Sequence, residues 1–156
     1  RIPAGRESDE PISNLDIYPT ILNVLDIDPI GHELDGQNLK PLLFSDSETF
    51  TANPLYWHFP VYLQAYDVNN NQSRDSLFRT RPGSVIRYGN WKLHHYFEDD
   101  ALELYNLKED IRETNNLAST LRDKTDELYG MLENWRREVD APIPKTLNIE
   151  YQQFDK

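Results

Sequence analysis

The stretch Ser84-Val85-Ile86-Arg87-Tyr88-Gly89-Asn90-Trp91-Lys92-Leu93-His94-His95-Tyr96-Phe97 decides the fold. Two runs rich in β-branched and aromatic residues flank Gly89-Asn90, a turn pair that accepts positive φ, so the stretch predicts a β-hairpin. The polar turn Glu98-Asp99-Asp100 and the run Leu102-Glu103-Leu104-Tyr105 add a third strand and complete a meander. Upstream, Leu55-Tyr56-Trp57-His58-Phe59 is short, rich in rings and stopped by Pro60, which predicts a fourth strand. Downstream, apolar residues at 117, 121, 128, 132, 135 and 139, with Met131 beside them, trace one stripe of a helix over 117–139. Pro142 and Pro144 follow its end. The fold class is therefore α+β: a small antiparallel sheet of about four strands packed by one long C-terminal helix.

Toward the start, Pro3, Gly5 and Pro11 punctuate a charged loop-like stretch over residues 1–12. Apolar residues at 17, 18, 21, 22, 24 and 25 recur near helical period, and Asp28-Pro29 closes the pattern. Pro19 fits only a first turn, so this helix starts near Asp16 or is capped earlier, by Ser13 or Asn14. Asp35-Gly36 reads as a turn, and a short helical piece is expected around Asn38–Leu43. Residues 64–83 are polar, include Asn69-Asn70-Asn71, and read as a long loop of the kind that carries function.

Composition narrows the classes. With 27 Asp+Glu against 16 Lys+Arg, the formal charge is −11, so the chain lacks the positive field that generic nucleic-acid binding needs. Aromatic residues make up 12%, which argues for a packed core over an acidic disordered tail. The absence of Cys excludes disulfides, thiolate metal sites and a Cys nucleophile. No run of about 18 apolar residues is present to span a membrane. The opening Arg1-Ile2-Pro3-Ala4-Gly5 is neither a methionine start nor a signal peptide, and reads as a chain entered midway.

Few residues offer chemistry. His94 and His95 are neighbours on a strand and point to opposite faces, so they do not share an ion and read as sheet-surface packing. Asp26-x-Asp28 with Asp35-Gly36 faintly suggests a calcium loop, but position 5 from Asp26 is Ile30 and position 12 is Gln37. No Gly-rich phosphate loop and no Gly-x-Ser-x-Gly elbow occurs. Asn71-Gln72-Ser73 matches a glycosylation acceptor, a tripeptide common by chance. Arg74, Arg79, Arg81 and Arg87 concentrate near the long loop and hairpin, where they either grip an anion or pair with nearby carboxylates. His58, at a strand end before Pro60, either reaches a pocket rim or is a partly buried imidazole capped by a backbone carbonyl.

These blocks, taken in order, resemble the later part of a formylglycine-dependent sulfatase. The resemblance rests on Arg1-Ile2-Pro3-Ala4-Gly5-Arg6, on Ser13-x-x-Asp16-Ile17-Tyr18-Pro19-Thr20 and on Asp35-Gly36-Gln37-Asn38-Leu39-x-Pro41-Leu42-Leu43. It continues through Tyr56-Trp57-His58-Phe59-Pro60, Arg81-Pro82-Gly83-Ser84-Val85-Ile86-Arg87-x-Gly89-x-Trp91-Lys92-Leu93, Glu103-Leu104-Tyr105-Asn106-Leu107-x-x-Asp110 and Glu113-x-x-Asn116-Leu117-Ala118. It implies that 1–45 edge a large alkaline-phosphatase-like α/β domain, that 46–141 form the smaller C-terminal subdomain, and that 142–156 are an extended tail.

The same resemblance implies what is missing. The family's nucleophile lies in a Cys/Ser-x-Pro-x-Arg motif, and no Ser here has that sequence around it. No catalytic residue, metal ligand or cofactor is therefore expected within this chain; the parent would use calcium and a formylglycine residue held elsewhere. The implied role is structural closure and one wall of a pocket for a sulfated small molecule or glycan, with His58 and Arg81 as substrate-binding candidates. The implied partner is the N-terminal catalytic part, and the implied compartment of the parent is periplasmic or secreted. Two other readings stay open: a related phosphodiesterase or phosphonate hydrolase, and a free-standing binding module. The sulfatase reading expects exposed apolar surface on the 16–27 helix; the free-standing module does not.

Overall fold

The computed structural model describes residues 2–5, 7–44, 50–64 and 78–146. The chain divides into two compact units, Arg1–Leu55 and Tyr56–Lys156.

In the first unit a 3₁₀ turn, Asn14–Asp16, leads into α1 (Ile17–Val24), and a second short helix is α2 (Lys40–Phe44). Ser13 caps this start: its Oγ accepts from the Leu15 N–H, and the Asp16 carboxylate accepts from the Ser13 N–H at 2.7 Å. Pro19 falls in the first turn of α1, where its missing donor does no harm. The helix stops at Val24, short of the expected Ile27. Asp26 takes φ 57°, and the Ile27 N–H returns to the Leu22 carbonyl at 2.9 Å, so the chain turns off the helix axis.

Two buried polar side chains then tie this helix start to the segment after it. The second oxygen of Asp16 accepts from the Gln37 N–H at 2.7 Å. Thr20 donates to the Asp16 carbonyl and accepts from the Leu39 N–H at 2.8 Å. Gln37 in turn donates to the Thr51 carbonyl and accepts from the Asn53 N–H, each at 2.9 Å. The chain comes so close here that a Cβ on Gly36 would sit 2.0 Å from the Leu15 carbonyl oxygen. This is why Asp16, Thr20 and Gly36 occur together: two short side chains satisfy backbone donors that only a glycine approach brings within reach. The other side of α1 is bare, with Ile17, Tyr18 and Ile21 each at least half exposed and Val24 close to that.

The second unit is a four-stranded sheet. Its strands are β1 (Leu55–Phe59), β4 (Gly83–Tyr88), β5 (Trp91–Tyr96) and β6 (Leu102–Asn106), in spatial order β1-β4-β5-β6. A separate antiparallel ribbon joins β2 (Leu63–Gln64) to β3 (Phe78–Thr80). The expected loop over 64–83 thus begins and ends in paired strand. Its middle, with Asn71-Gln72-Ser73 and Arg74, lies outside the described residues, as do 147–156 of the expected tail.

Alternation along the strands sends Ser84, Ile86, Leu93, His95 and Leu104 to one face. Register places Ile86 beside Leu93 and Leu93 beside Leu104. Against this row packs α3 (Arg122–Glu138), through Leu128 and Leu132, and all five side chains are fully buried. Tyr56 stacks flat on Trp135 with ring centroids 4.8 Å apart, a contact worth about 1 kcal/mol beyond its area. The helix starts at Arg122 and not at Leu117. Leu117 to Leu121 form turns tied to β6, the Leu117 N–H reaching the Leu104 carbonyl at 2.8 Å, while Asn116 Oδ1 accepts from the Leu104 and Ala118 N–H groups. Leu117 still packs on the core, which is why it fits the stripe without being helical.

Two substitutions test this account. Leu132→Ala leaves a cavity beneath the sheet and is expected to cost about 2–5 kcal/mol in urea unfolding. Gly36→Ala forces a Cβ into the Leu15 carbonyl; a loss of more than about 1 kcal/mol is expected, because the obstacle is backbone and cannot rotate away.

Candidate functional site

The polar residues of the second unit gather at one end of the sheet: the end of β1, the start of β4, the end of β5 and the turn before β6. There the apolar row gives way to Ser84 and His95, register partners facing α3 and 1% and 6% exposed.

His58 sits over Ser84. Its Nδ1 lies 2.8 Å from Ser84 Oγ, and its Nε2 lies 2.9 Å from the Pro142 carbonyl. A carbonyl only accepts, so Nε2–H donates to Pro142, and the Ser84 hydroxyl donates to Nδ1. Phe97 and Trp135 flank the ring, at 5.7 and 6.5 Å between centroids. A Ser–His contact of this length suggests a nucleophile and its base, but Ser84 is buried and the second ring nitrogen meets a main-chain carbonyl where a carboxylate would be needed. The pair fixes chain segments 26 and 84 residues apart in sequence and attacks nothing.

Strand alternation alone gives His95 a place in sheet packing, and the structure gives it a larger part. Arg136, 3% exposed on α3, donates Nη1–H to His95 Nδ1 at 2.8 Å. That leaves His95 Nε2–H to donate to Asp100 at 2.6 Å. The Arg136 guanidinium also binds Glu133 and lies over the rings of Phe97 and Tyr129. Pairing and ring contacts keep a buried cation tolerable. The sequence signal was a polar residue four beyond Leu132, on the buried stripe.

Arg81 is also buried. Its Nη1 lies 3.2 Å from Glu98 and 3.9 Å from Asp99, and its guanidinium lies over the Tyr96 ring. Burial, then the neighbouring Asp99 carboxylate, push Glu98 up to about 7, in spite of the Arg81 charge beside it. Arg79 is exposed on β3, whereas Arg87 lies near the far end of β4, so these arginines do not converge with Arg81 on one anion.

The opposite sheet face has its own polar network. Glu113, held at φ 56°, binds Lys92 Nζ at 2.7 Å and His94 Nε2 at 3.0 Å. Burial, then the Lys92 charge, lower His94, and Glu113 opposes them. His94 and His95 do face apart, as alternation requires. Among the described residues no three His, Asp or Glu side chains gather as a metal site, and no helix is long and apolar enough to cross a membrane.

Residues 1–138 match the family model described as "N-sulphoglucosamine sulphohydrolase, C-terminal". A "Sulfatase" of Formosa agariphila is 32% identical over 126 residues, covering 75% of this chain and 20% of that protein. The solved structure of BT4656 in complex with its substrate D-glucosamine-2-N,6-O-disulfate superposes with a TM-score of 0.55 at 25% identity, covering 80% of this chain and 24% of that one. The phosphonate monoester hydrolase of Agrobacterium radiobacter also shares the fold, with a TM-score of 0.52 at 24% identity over 89% of this chain and 27% of that one. The chain spans about a fifth to a quarter of the length of these proteins.

Glu98 makes stability depend on pH. The fold favours its protonated form, so this stabilisation is full below the ordinary value of 4.5 and fades as pH rises through about 7. The urea midpoint is expected to fall more steeply between about pH 5 and about pH 8 in the native chain than in Glu98→Gln. Identical slopes would show that Glu98 does not titrate in this range.

Proposed function

Because the chain belongs to the sulfatase family and corresponds to its C-terminal part, we propose that it completes a hydrolase of sulfate esters, as closing layer and pocket wall. The family match over residues 1–138 carries this reading. The half-exposed apolar side of α1 supports it, since a free-standing module has no reason to leave Ile17, Ile21 and Leu25 in water. The proposed partner is an N-terminal catalytic part of the same protein.

The residues of this chain do not fit formylglycine or calcium. There is no Cys and no Ser-x-Pro-x-Arg sequence, and no ligand set gathers among the described residues. In this proposal both belong to polypeptide outside the chain, and what this chain supplies is position. The polar end of the sheet presents Pro60 and the β2–β3 ribbon from two fixed anchors: His58 to Ser84 and Pro142, and Arg81 to Glu98. His58 and Arg81 thus serve the wall by holding it; both His58 ring nitrogens and Arg81 Nη1 already serve partners inside the chain.

The substrate class favoured is a sulfated amino sugar, from the family description and from the substrate named for BT4656. For the parent we propose a periplasmic or secreted location, where a sulfated glycan from outside the cell would be met. The likeness to the phosphonate hydrolase is one of fold and favours no second reading.

The complete polypeptide carrying this chain is expected to release inorganic sulfate from a sulfated glucosamine faster than it cleaves a phosphonate monoester; the reverse order would overturn the proposal. In that polypeptide His58→Ala is expected to lower kcat/KM about tenfold or more, since small misplacements of a wall are costly. An unchanged kcat/KM would remove His58 from the wall.

A further inference from the structure

The described residues also leave a second bare surface, in the other unit. Tyr56 and His58 face α3, so Trp57 and Phe59 point to the opposite side of β1. Trp57 is 50% exposed and Phe59 42%, and beyond Pro60 the side chains of Val61 and Leu63 are exposed to a similar degree. Four large apolar side chains left in water within seven residues are more than the singly scattered ones a lone domain usually exposes. Strand β1 is also the edge of its sheet. Proteins usually protect edges with charge or proline inside the strand, and Leu55-Tyr56-Trp57-His58-Phe59 has neither Lys, Arg, Asp, Glu nor Pro. It is written like an interior strand.

We propose that the Trp57–Phe59 side of β1 is an interface covered by polypeptide N-terminal to this chain in the same protein. This rests on the sulfatase reading and deepens it by naming where the catalytic part docks on the second unit. Three observations choose the occupant. The related proteins are four to five times as long as the part matched here, so each has ample chain to supply the cover. A second copy is disfavoured because each chain carries a formal charge of −11 and would repel another. A sugar is disfavoured because the exposed side chains of Phe59, Val61 and Leu63 themselves offer its hydroxyls no hydrogen bonds. An apolar protein surface meets all three conditions.

Hydroxyl-radical footprinting of the complete polypeptide tests this, with the same polypeptide in denaturant as reference and this chain alone as comparison. Loss of Trp57 and Phe59 labelling in the complete polypeptide, with labelling retained in this chain alone, is the expected result. Labelling in the complete polypeptide overturns the inference. So does protection of this chain alone that grows with its concentration, which identifies a second copy, or protection that appears only with a sulfated oligosaccharide. If this chain does not fold alone, the complete polypeptide against its denatured form still decides. Sulfate release measured on the same sample separates the two claims. An active enzyme with labelled Trp57 refutes the interface alone, and an inactive one with protected Trp57 refutes the activity alone.

Discussion

The second unit depends on one layer: Ile86, Leu93 and Leu104 side by side across three strands, closed from above by Leu128 and Leu132. Five side chains are a small core, and burial of this size must carry the ordering of three strands and a 17-residue helix. The layer also sets a boundary condition. Where it ends, helix and sheet still face each other, and the groups between them must be polar and mutually satisfied or absent. Ser84, His95 and His58 meet that condition, Arg136 meets it through its two Nη groups, and their positions follow from where the apolar row stops.

Much of this was legible in the residues. The hairpin at Gly89-Asn90, the three-strand meander and the ring-rich strand before Pro60 stand where period and turn chemistry place them. The reason is that strands with one buried face alternate cleanly, and each is bounded by a strong turn signal. Helix ends were less legible. Two residues past the last helical residue of both α1 and α3 stands an aspartate with positive φ, Asp26 and Asp140, where a glycine would have been an open signal. Leu117 and Leu121 keep helical spacing in a non-helical turn, because spacing reports which side faces the core and not the backbone path.

The polar end was legible only in part. His58 and Arg81 drew attention by position, at a strand end and beside a long loop. Their partners did not, since Pro142 and Glu98 are reached across 84 and 17 residues and no local pattern announces them. The pairing of His95 with Arg136, 41 residues away, exists only once the helix lies across the sheet. In the first unit the converse holds: Ser13, Asp16, Thr20 and Gly36 formed a recognisable pattern whose cause, a near collision of two backbones, is visible only in three dimensions.

The contact between His58 and Pro142 bears on where this unit ends. The family model's match stops at residue 138, on the last helical turn. The folded object does not, because the chain bends at Asp140 and hands a carbonyl back to an imidazole on the sheet's rim. Anyone trimming the protein at the sequence margin would strip that imidazole of its acceptor and unsettle the buried hydroxyl below it. The family model's margin and the margin drawn by bonding differ here by only four residues, and the second is the one to cut along.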